Sequence, residues 1–315
     1  LGGGRMIQIF KNPNFNFVRL RFFAYFLSAI LVTGGIIGII QIALGNANLG
    51  IDFSGGSVVS LKFKREIDIV RIREVLTKSG LSDTSIQQIS DAPGEPKLKV
   101  LLRIKKSNIK IGQLGEYIKN AFTTGLSGEE FIIDRIEDIG PVVSKRLKQQ
   151  AFWAILLAMI GITIYIWFRF EFRFGVAAAI ATLHDVLSII GIFYFLNKEF
   201  TLLIVTALLT IAGYSLTDTV VVFDRIRENL KIKVKENLES IINLSVNEVL
   251  NRTMMTSITT LLVIVALFIF GGEVIHDFSL ALFLGVIVGT YSSVFIASPI
   301  LLEWEKIVLK RQSAK

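Results

Sequence analysis

Cysteine is absent from the 315 residues. That excludes disulfides, thiolate catalysis and cysteine-based metal sites, and it is compatible with an oxidising surrounding on one side of a membrane. Histidine is almost absent, occurring only at His184 and His276. No nucleophile triad and no cluster of metal ligands can be assembled. The glycine-rich stretches "LGGG" and "DFSGGS" are not phosphate-binding loops. No cofactor or metal is expected, and an enzyme is the least favoured class. Charge is sparse as well. Only 19% of residues are charged, 52% are hydrophobic, and the mean hydropathy is +0.61. An ordinary soluble chain does not sustain that balance.

What is present instead is long apolar runs. Six segments are near the ~17–25 residues a spanning helix requires. They are 22–44, 152–168, 174–195, 200–222, 254–270 and 278–302. The first is too long for a cleavable signal peptide and begins too far into the chain. Leu1 to Arg5, "LGGGR", reads as an artificial scar, with Met6 as a native start. The net charge of +8 does not point to nucleic acid, because its distribution is a topology signal. Sixteen lysines and arginines fall in the termini and short loops of one side, and Lys198 alone on the other. By the positive-inside rule both termini are cytoplasmic and the long stretch 45–150 lies outside. The expected plan is a cytoplasmic N-terminus over 6–21, a first span, an outer domain over 45–150, five spans over 151–302, and a cytoplasmic tail over 303–315.

Within the outer stretch, "SVVSLKFK" (57–64) alternates and is expected as a strand. "DIVRIREVLTKSG" has helical apolar spacing and a glycine stop. "TSIQQIS" and "KLKVLLRI" are expected as strands around a "DAPGEP" turn, followed by the helix "IGQLGEYIKNAFTT" and the strand "EEFIIDRIEDI". The order β-α-β-β-α-β is that of a ferredoxin-like split βαβ. The expected fold class is therefore an α-helical membrane protein with six transmembrane helices and an α+β extracytoplasmic domain. On the inner side, residues 223–252 are expected as an amphipathic segment with Val234, Leu238, Ile241, Ile242 and Val249 near one face. It would lie at the membrane surface or pack beneath the bundle. Gly34/Gly38 and Gly285/Gly289/Ser293 have the spacing that lets membrane helices approach closely.

Two carboxylates fall inside spans, Asp218 in the fourth and Asp185, beside His184, in the third. An ionised carboxylate there costs at least ~2.5–3.5 kcal/mol on insertion scales, so each should find protein or water. Burial and a nearby guanidinium act in opposite directions on such a group, and one balanced between them can exchange a proton near neutral pH. On a helix, Tyr214, Ser215, Asp218, Val222 and Arg225 share one side, so Tyr214 and Ser215 are candidates to hydrogen-bond Asp218. The fifth span opens with Arg252, and Thr256, Thr259 and Thr260 continue its face. That polar stripe suits a water-lined path between spans four and five, with Arg252 modulating Asp218. The plainer reading is a buried ion pair that fixes helix register. For Asp185 the same choice is open, since His184 or a neighbouring span can satisfy it. His276 and Asp277 are expected in a short, solvated outer loop.

Five stretches, in order, carry a resemblance: "GIDFSGG" (50–56), "IEDIGPVVSKRL" (136–147), "HDV" (184–186), "GYSLTDTVVVFDRIREN" (213–229) and "NRTMMTSITT" (251–260). Together with the topology they make the chain similar to the SecF branch of the SecD/SecF protein-export family, which is related to the resistance-nodulation-division superfamily. The resemblance implies a bacterial inner-membrane subunit that uses the proton motive force to help draw secreted polypeptides outward after SecYEG and SecA have started them. It implies SecD as heterodimer partner, SecYEG and YajC as further partners, a translocating preprotein and membrane lipid as contacts, and no nucleic acid. By the placement on the spans described above, Tyr214, Ser215, Thr256, Thr260, Asp185 and His184 are candidate supporting polar residues, and the resemblance assigns proton transport to Asp218 and Arg252. It makes Gly50, Asp52, Phe53, Gly55 and Gly56 the motif at the start of the outer domain. The alternatives are a small-molecule or lipid transporter subunit of the same superfamily, or a structural scaffold of a membrane complex.

Overall fold

The computed structural model describes residues 10–11, 13–82, 84–89, 96, 98–104, 109, 112–233 and 236–313. The expected scar, Met6, Val234 and nearly all of the "DAPGEP" turn lie outside them. After a short 3-10 turn, Val18–Leu20, the chain forms α1 (Arg21–Leu44), a one-turn α2 (Ile51–Ser54) and strand β1 (Gly56–Phe63). Then follow α3 (Ile69–Lys78), β2 (Thr84–Ile89), β3 (Lys99–Ile104), α4 (Leu114–Gly125) and β4 (Phe131–Ile139). The remainder is helical: α5 (Pro141–Arg169), α6 (Phe172–Phe195), α7 (Leu202–Ile232), α8 (Leu238–Phe270), α9 (Gly272–Ser292), a π-helical turn (Ser293–Ala297) and α10 (Ser298–Ser313).

The strands form one antiparallel sheet in the order β2-β3-β1-β4, as the split βαβ expectation requires. Alternation sends Val59, Leu61, Phe63, Val100, Leu102 and Ile104 to one face, where they pack on Ile72, Leu76, Ile118 and Phe122 of α3 and α4. Asp68 caps α3 by accepting from the Val70 amide at 2.9 Å. β4 passes through Gly140 alone into Pro141, whose fixed φ suits the first turn of α5.

Six helices are long and apolar enough to cross a membrane. α6 is the central one, with 72% of its apolar window buried, whereas α5 and α8 bury 11% and 17%. α1 crosses α6 at backbone contact: a Cβ on Gly35 would meet the Leu187 carbonyl oxygen at 2.2 Å, and one on Gly191 the Gly35 nitrogen at 2.6 Å. α9 approaches α7 in the same way, through Gly285 against Ile211 and Gly289 against Ser215.

The segment 223–252 follows the second of its two expected arrangements, packing beneath the bundle. It is not a separate surface helix. α7 runs on to Ile232, and α8 begins at Leu238 and continues unbroken into the fifth span. Residues 238–270 contain no glycine or proline, so nothing interrupts the hydrogen-bond ladder. Ile242, Val246 and Leu250 are buried against Phe170, Phe174, Phe223, Ile226 and Leu302 at the end of the bundle remote from the sheet, and Ile241 is buried as well. The amphipathic face is real, and it packs inward. His276 and Asp277 likewise belong to α9 rather than to a loop, and Asp277 pairs with Lys198 at 2.8 Å.

Candidate functional site

Asp218 sits on α7, 5% exposed. Its Oδ1 accepts one long hydrogen bond, 3.4 Å, from the Thr256 hydroxyl of α8, and its Oδ2 has no protein partner. Thr256 is itself divided, because its oxygen also lies 3.1 Å from the Arg252 carbonyl and 2.9 Å from that of Thr253. One hydroxyl proton cannot serve three acceptors well. Arg252, one turn before Thr256 on α8, places a positive charge whose field acts on Asp218. The carboxylate is thus buried, weakly solvated by protein, and within reach of one cation.

Two recesses flank its position along α7. A cleft of about 510 Å³, on the side remote from the sheet, is lined by Tyr165 of α5, Thr217, Asp224, Arg225 and Glu228 of α7, and Arg252 of α8. Toward the sheet, an apolar groove of about 500 Å³ runs between α7, α8 and α9. Tyr214, Thr260, Ile264 and Val286 are among its walls. Asp218 lies between a charged recess and a dry one. Thr260 turns its hydroxyl back to the Thr256 carbonyl at 2.8 Å and leaves the carboxylate alone.

Tyr214 and Ser215 are not ligands of Asp218. The Tyr214 hydroxyl faces Ser257 Oγ at 3.5 Å, and Ser257 lies 2.7 Å from Thr290 Oγ1 of α9. Ser215 donates to Asp185 Oδ2 at 2.5 Å. Helical phase put both residues on the right side of α7, but their partners come from α6 and α8, which the sequence of α7 does not reveal.

Asp185 is the opposite of Asp218. It is fully buried, and its Oδ2 also accepts from Ser292 Oγ of α9 at 2.9 Å, while Oδ1 meets His184 Nδ1 at 2.9 Å. Two hydroxyl donors and a histidine ring nitrogen, from three helices, surround one carboxyl group. His184 Nε2 is buried without a partner, beside the Tyr291 ring. Ser292, Ser257 and Thr290 were not foreseen. Ser292 stands directly before the π-helical turn, a kind of irregularity that gathers at functional sites.

The glycine motif joins the sheet to the bundle. Gly50 donates its amide to the Phe200 carbonyl at 2.8 Å. Asp52 Oδ2 accepts from the Leu202 amide at 2.8 Å, so it caps α7, whose own N-cap residue Thr201 makes no side-chain cap. Phe53 packs with the bundle core near Phe200. Gly55, at φ 71° and ψ 172°, occupies a region open essentially to glycine, and Gly56 has φ 121°. Among the described residues no group of three or more histidine, aspartate or glutamate side chains could hold a metal.

A family model described as protein export membrane protein SecD/SecF, C-terminal, matches residues 119–307, and a SecD/SecF GG motif model matches residues 48–67. The protein translocase subunit SecF of Thermodesulfovibrio yellowstonii is 48% identical over 299 residues, covering 94% of this chain and 97% of the relative. That of Pseudomonas aeruginosa is 36% identical over 297 residues, covering 93% and 92%. Among solved structures, SecDF of Thermus thermophilus, described as a translocon-associated membrane protein, superposes with a TM-score of 0.81 at 32% identity. It covers 94% of this chain, and this chain spans 39% of it. SecDF in a super-membrane-facing form gives 0.71 at 32% identity, covering 99% of this chain and 42% of that one.

Proposed function

Because the chain belongs to the SecD/SecF family of protein export membrane proteins, we propose that it is the SecF-type subunit of a protein translocase, paired with a SecD chain. It is a multi-pass membrane protein. In this reading it sits in a bacterial inner membrane with both termini and the charged cleft in the cytoplasm and the sheet domain outside. It draws on the proton motive force to help secreted polypeptides emerge from SecYEG, with YajC as a further partner. It transports and catalyses no bond chemistry. The pairing with SecD is supported by the share of the SecDF chain that this one leaves unmatched, and by the poorly buried flanks of α5 and α8.

The observation that carries the proton role is the state of Asp218: a buried carboxylate with one bare oxygen, one weak hydroxyl and Arg252 nearby. Loss of a proton there creates a charge that Arg252 can turn toward, and gain of one releases Arg252 to the acidic groups of the cleft. Moving one charge through about 100 mV supplies ~2.3 kcal/mol. A few protons per cycle bias a conformational equilibrium if the two protonation states favour different bundle arrangements. Asp185 serves in this scheme as a fixed anchor, holding α7 one turn before Asp218.

The decisive experiment is Asp218→Asn in inverted vesicles with SecD co-expressed. Insertion and SecD co-purification should be retained, and proton-dependent export should drop to background. Normal proton-dependent export by this variant would sink the reading.

A further inference from the structure

The N-terminal segment ahead of α1 is held against α8 by three asparagines spaced four residues apart. Asn243 Oδ1 accepts from the Val18 amide at 3.0 Å, and its Nδ2 donates to Asn16 Oδ1 at 3.1 Å. Asn247 accepts from the Phe15 amide and donates to the Phe15 carbonyl, both at 2.9 Å. Asn251 does the same with Phe10, at 2.9 and 2.8 Å. The strap runs antiparallel to α8, and two of its residues have both main-chain groups taken by one side-chain amide. Glu239, one turn before Asn243, extends the stripe: it pairs with Arg21, whose guanidinium also donates to the Val18 carbonyl at 3.0 Å. The rings of Phe10, Phe15 and Phe17 meet edge to face in sequence, and Phe17 meets Phe295 inside the π-helical turn.

We infer that Asn243, Asn247 and Asn251 are positioning residues for proton transfer: by docking the N-terminal strap they fix the rotation and height of α8, and with it Arg252. The inference rests on the proton role proposed for Asp218. Its physical basis is the geometry of the ladder. Rungs four residues apart span about 12 Å of helix, and a slide of one residue displaces each by about 1.5 Å. Hydrogen bonds of 2.8–3.0 Å do not survive that shift. Asn251 directly precedes Arg252, so a turn of α8 that swings Arg252 toward or away from Asp218 must unseat the last rung. The strap also leads directly into α1, so movement of α8 is felt at α1 and at the π-helical turn next to Ser292.

The test uses the full chain with SecD co-expressed. Asn247→Ala/Asn251→Ala is compared with wild type and with Asn237→Ala, which removes the cap of α8 and leaves the strap untouched. Amide hydrogen exchange over residues 10–18 should rise roughly tenfold or more in the ladder variant alone. The pH of half-maximal proton-dependent export should move by about half a unit or more in the ladder variant and stay in place in the cap variant. The charged groups that can set that pH are Arg252, which acts on Asp218, and Asp224, Arg225 and Glu228 of the cleft, with Tyr165 facing them from α5. Unchanged exchange would overturn the ladder as the strap's anchor. Faster exchange with an unmoved pH profile would overturn the link to Arg252. Normal export by Asp218→Asn would instead defeat the proton role and leave the exchange result standing.

Discussion

Asp185 and Asp218 are the same side chain placed in two environments, and the contrast predicts opposite responses to mutation. Asp185→Ala strips the acceptor from Ser215, Ser292 and His184 at once. Buried donors left unpaired cost about 1–3 kcal/mol, so thermal unfolding in detergent should show a marked loss of stability. Asp218→Ala removes a carboxylate whose second oxygen has no partner, and the unfolding temperature should hold or rise while proton-dependent export is lost. If Asp218→Ala unfolds as readily as Asp185→Ala, the distinction between anchor and titrating site is wrong. The sequence already marked Asp218, Arg252 and Thr256, because a charge inside an apolar run is expensive and helical spacing shows what lies one turn away. It marked Asp185 too, but not its role. That role depends on Ser215 and Ser292 arriving from helices 30 and 107 residues further along the chain, which periodicity along one helix does not carry. The misplacement of Tyr214 and Ser215 has the same origin.

Helix packing places further demands on single positions. Gly191 leaves no room for a Cβ against α1, so Gly191→Val should force α1 and α6 apart and destabilise the bundle by about 1–3 kcal/mol, read as a lowered unfolding temperature. Gly213 is the reverse case. It is exposed, a Cβ there meets nothing within 4 Å, and with Thr206, Thr210 and Thr217 it forms a small-residue stripe down the open side of α7. Membrane helices approach one another along such stripes. Gly213→Leu should leave the unfolding temperature of the isolated chain unchanged and reduce SecD co-purification roughly tenfold, a loss of about 1.4 kcal/mol. Undiminished co-purification would place the partner elsewhere. At this scale the sequence was read well for the sheet domain, where alternation and turn residues are local, and less well for α7 and α8. Their apolar windows end where the membrane signal ends, but the helices continue because nothing in 223–232 or 238–252 breaks them. Gly34 and Gly38 were picked by spacing, while Gly35 and Gly191 make the closest approach. The π-helical turn has no sequence signature, although Ser292 before it bonds Asp185 of α6 and Phe295 within it meets Phe17 of the N-terminal strap.

Across the whole molecule, the proposed proton role asks how a charge change at Asp218 would reach the sheet domain. α7 carries Asp218 in its body and is capped at its other end by Asp52, a residue of the glycine motif. The same turn is pinned by the Gly50 amide on Phe200 and by an ion pair of Arg103, on β3, with Glu199 at 3.0 Å. β4 is joined to α5 by Gly140 alone. A shift of α7 along its axis therefore pulls on the sheet domain through its first turn, and a tilt of α5 pushes it through its last strand. A cap supplied from another element is worth about 0.5–2 kcal/mol, which is similar to the energy one proton delivers. Under the proposed proton role, a link of that strength would be strong enough to transmit and weak enough to be reset. Asp52→Ala should then separate two activities that travel together in the wild type. Proton uptake by reconstituted vesicles, measured with a pH-sensitive dye, should persist, because Asp218, Thr256 and Arg252 lie far down α7 and α8. Export of a model preprotein in the same vesicles should fall severalfold. Gly55→Ala should give the same split by a different route, since alanine at φ 71° and ψ 172° costs about 1–3 kcal/mol and displaces the turn from Ile139 and Ser144. If both variants lose proton uptake and export in equal measure, the glycine motif is only a structural brace. If uptake persists while export fails, it is the link through which the bundle moves the sheet domain.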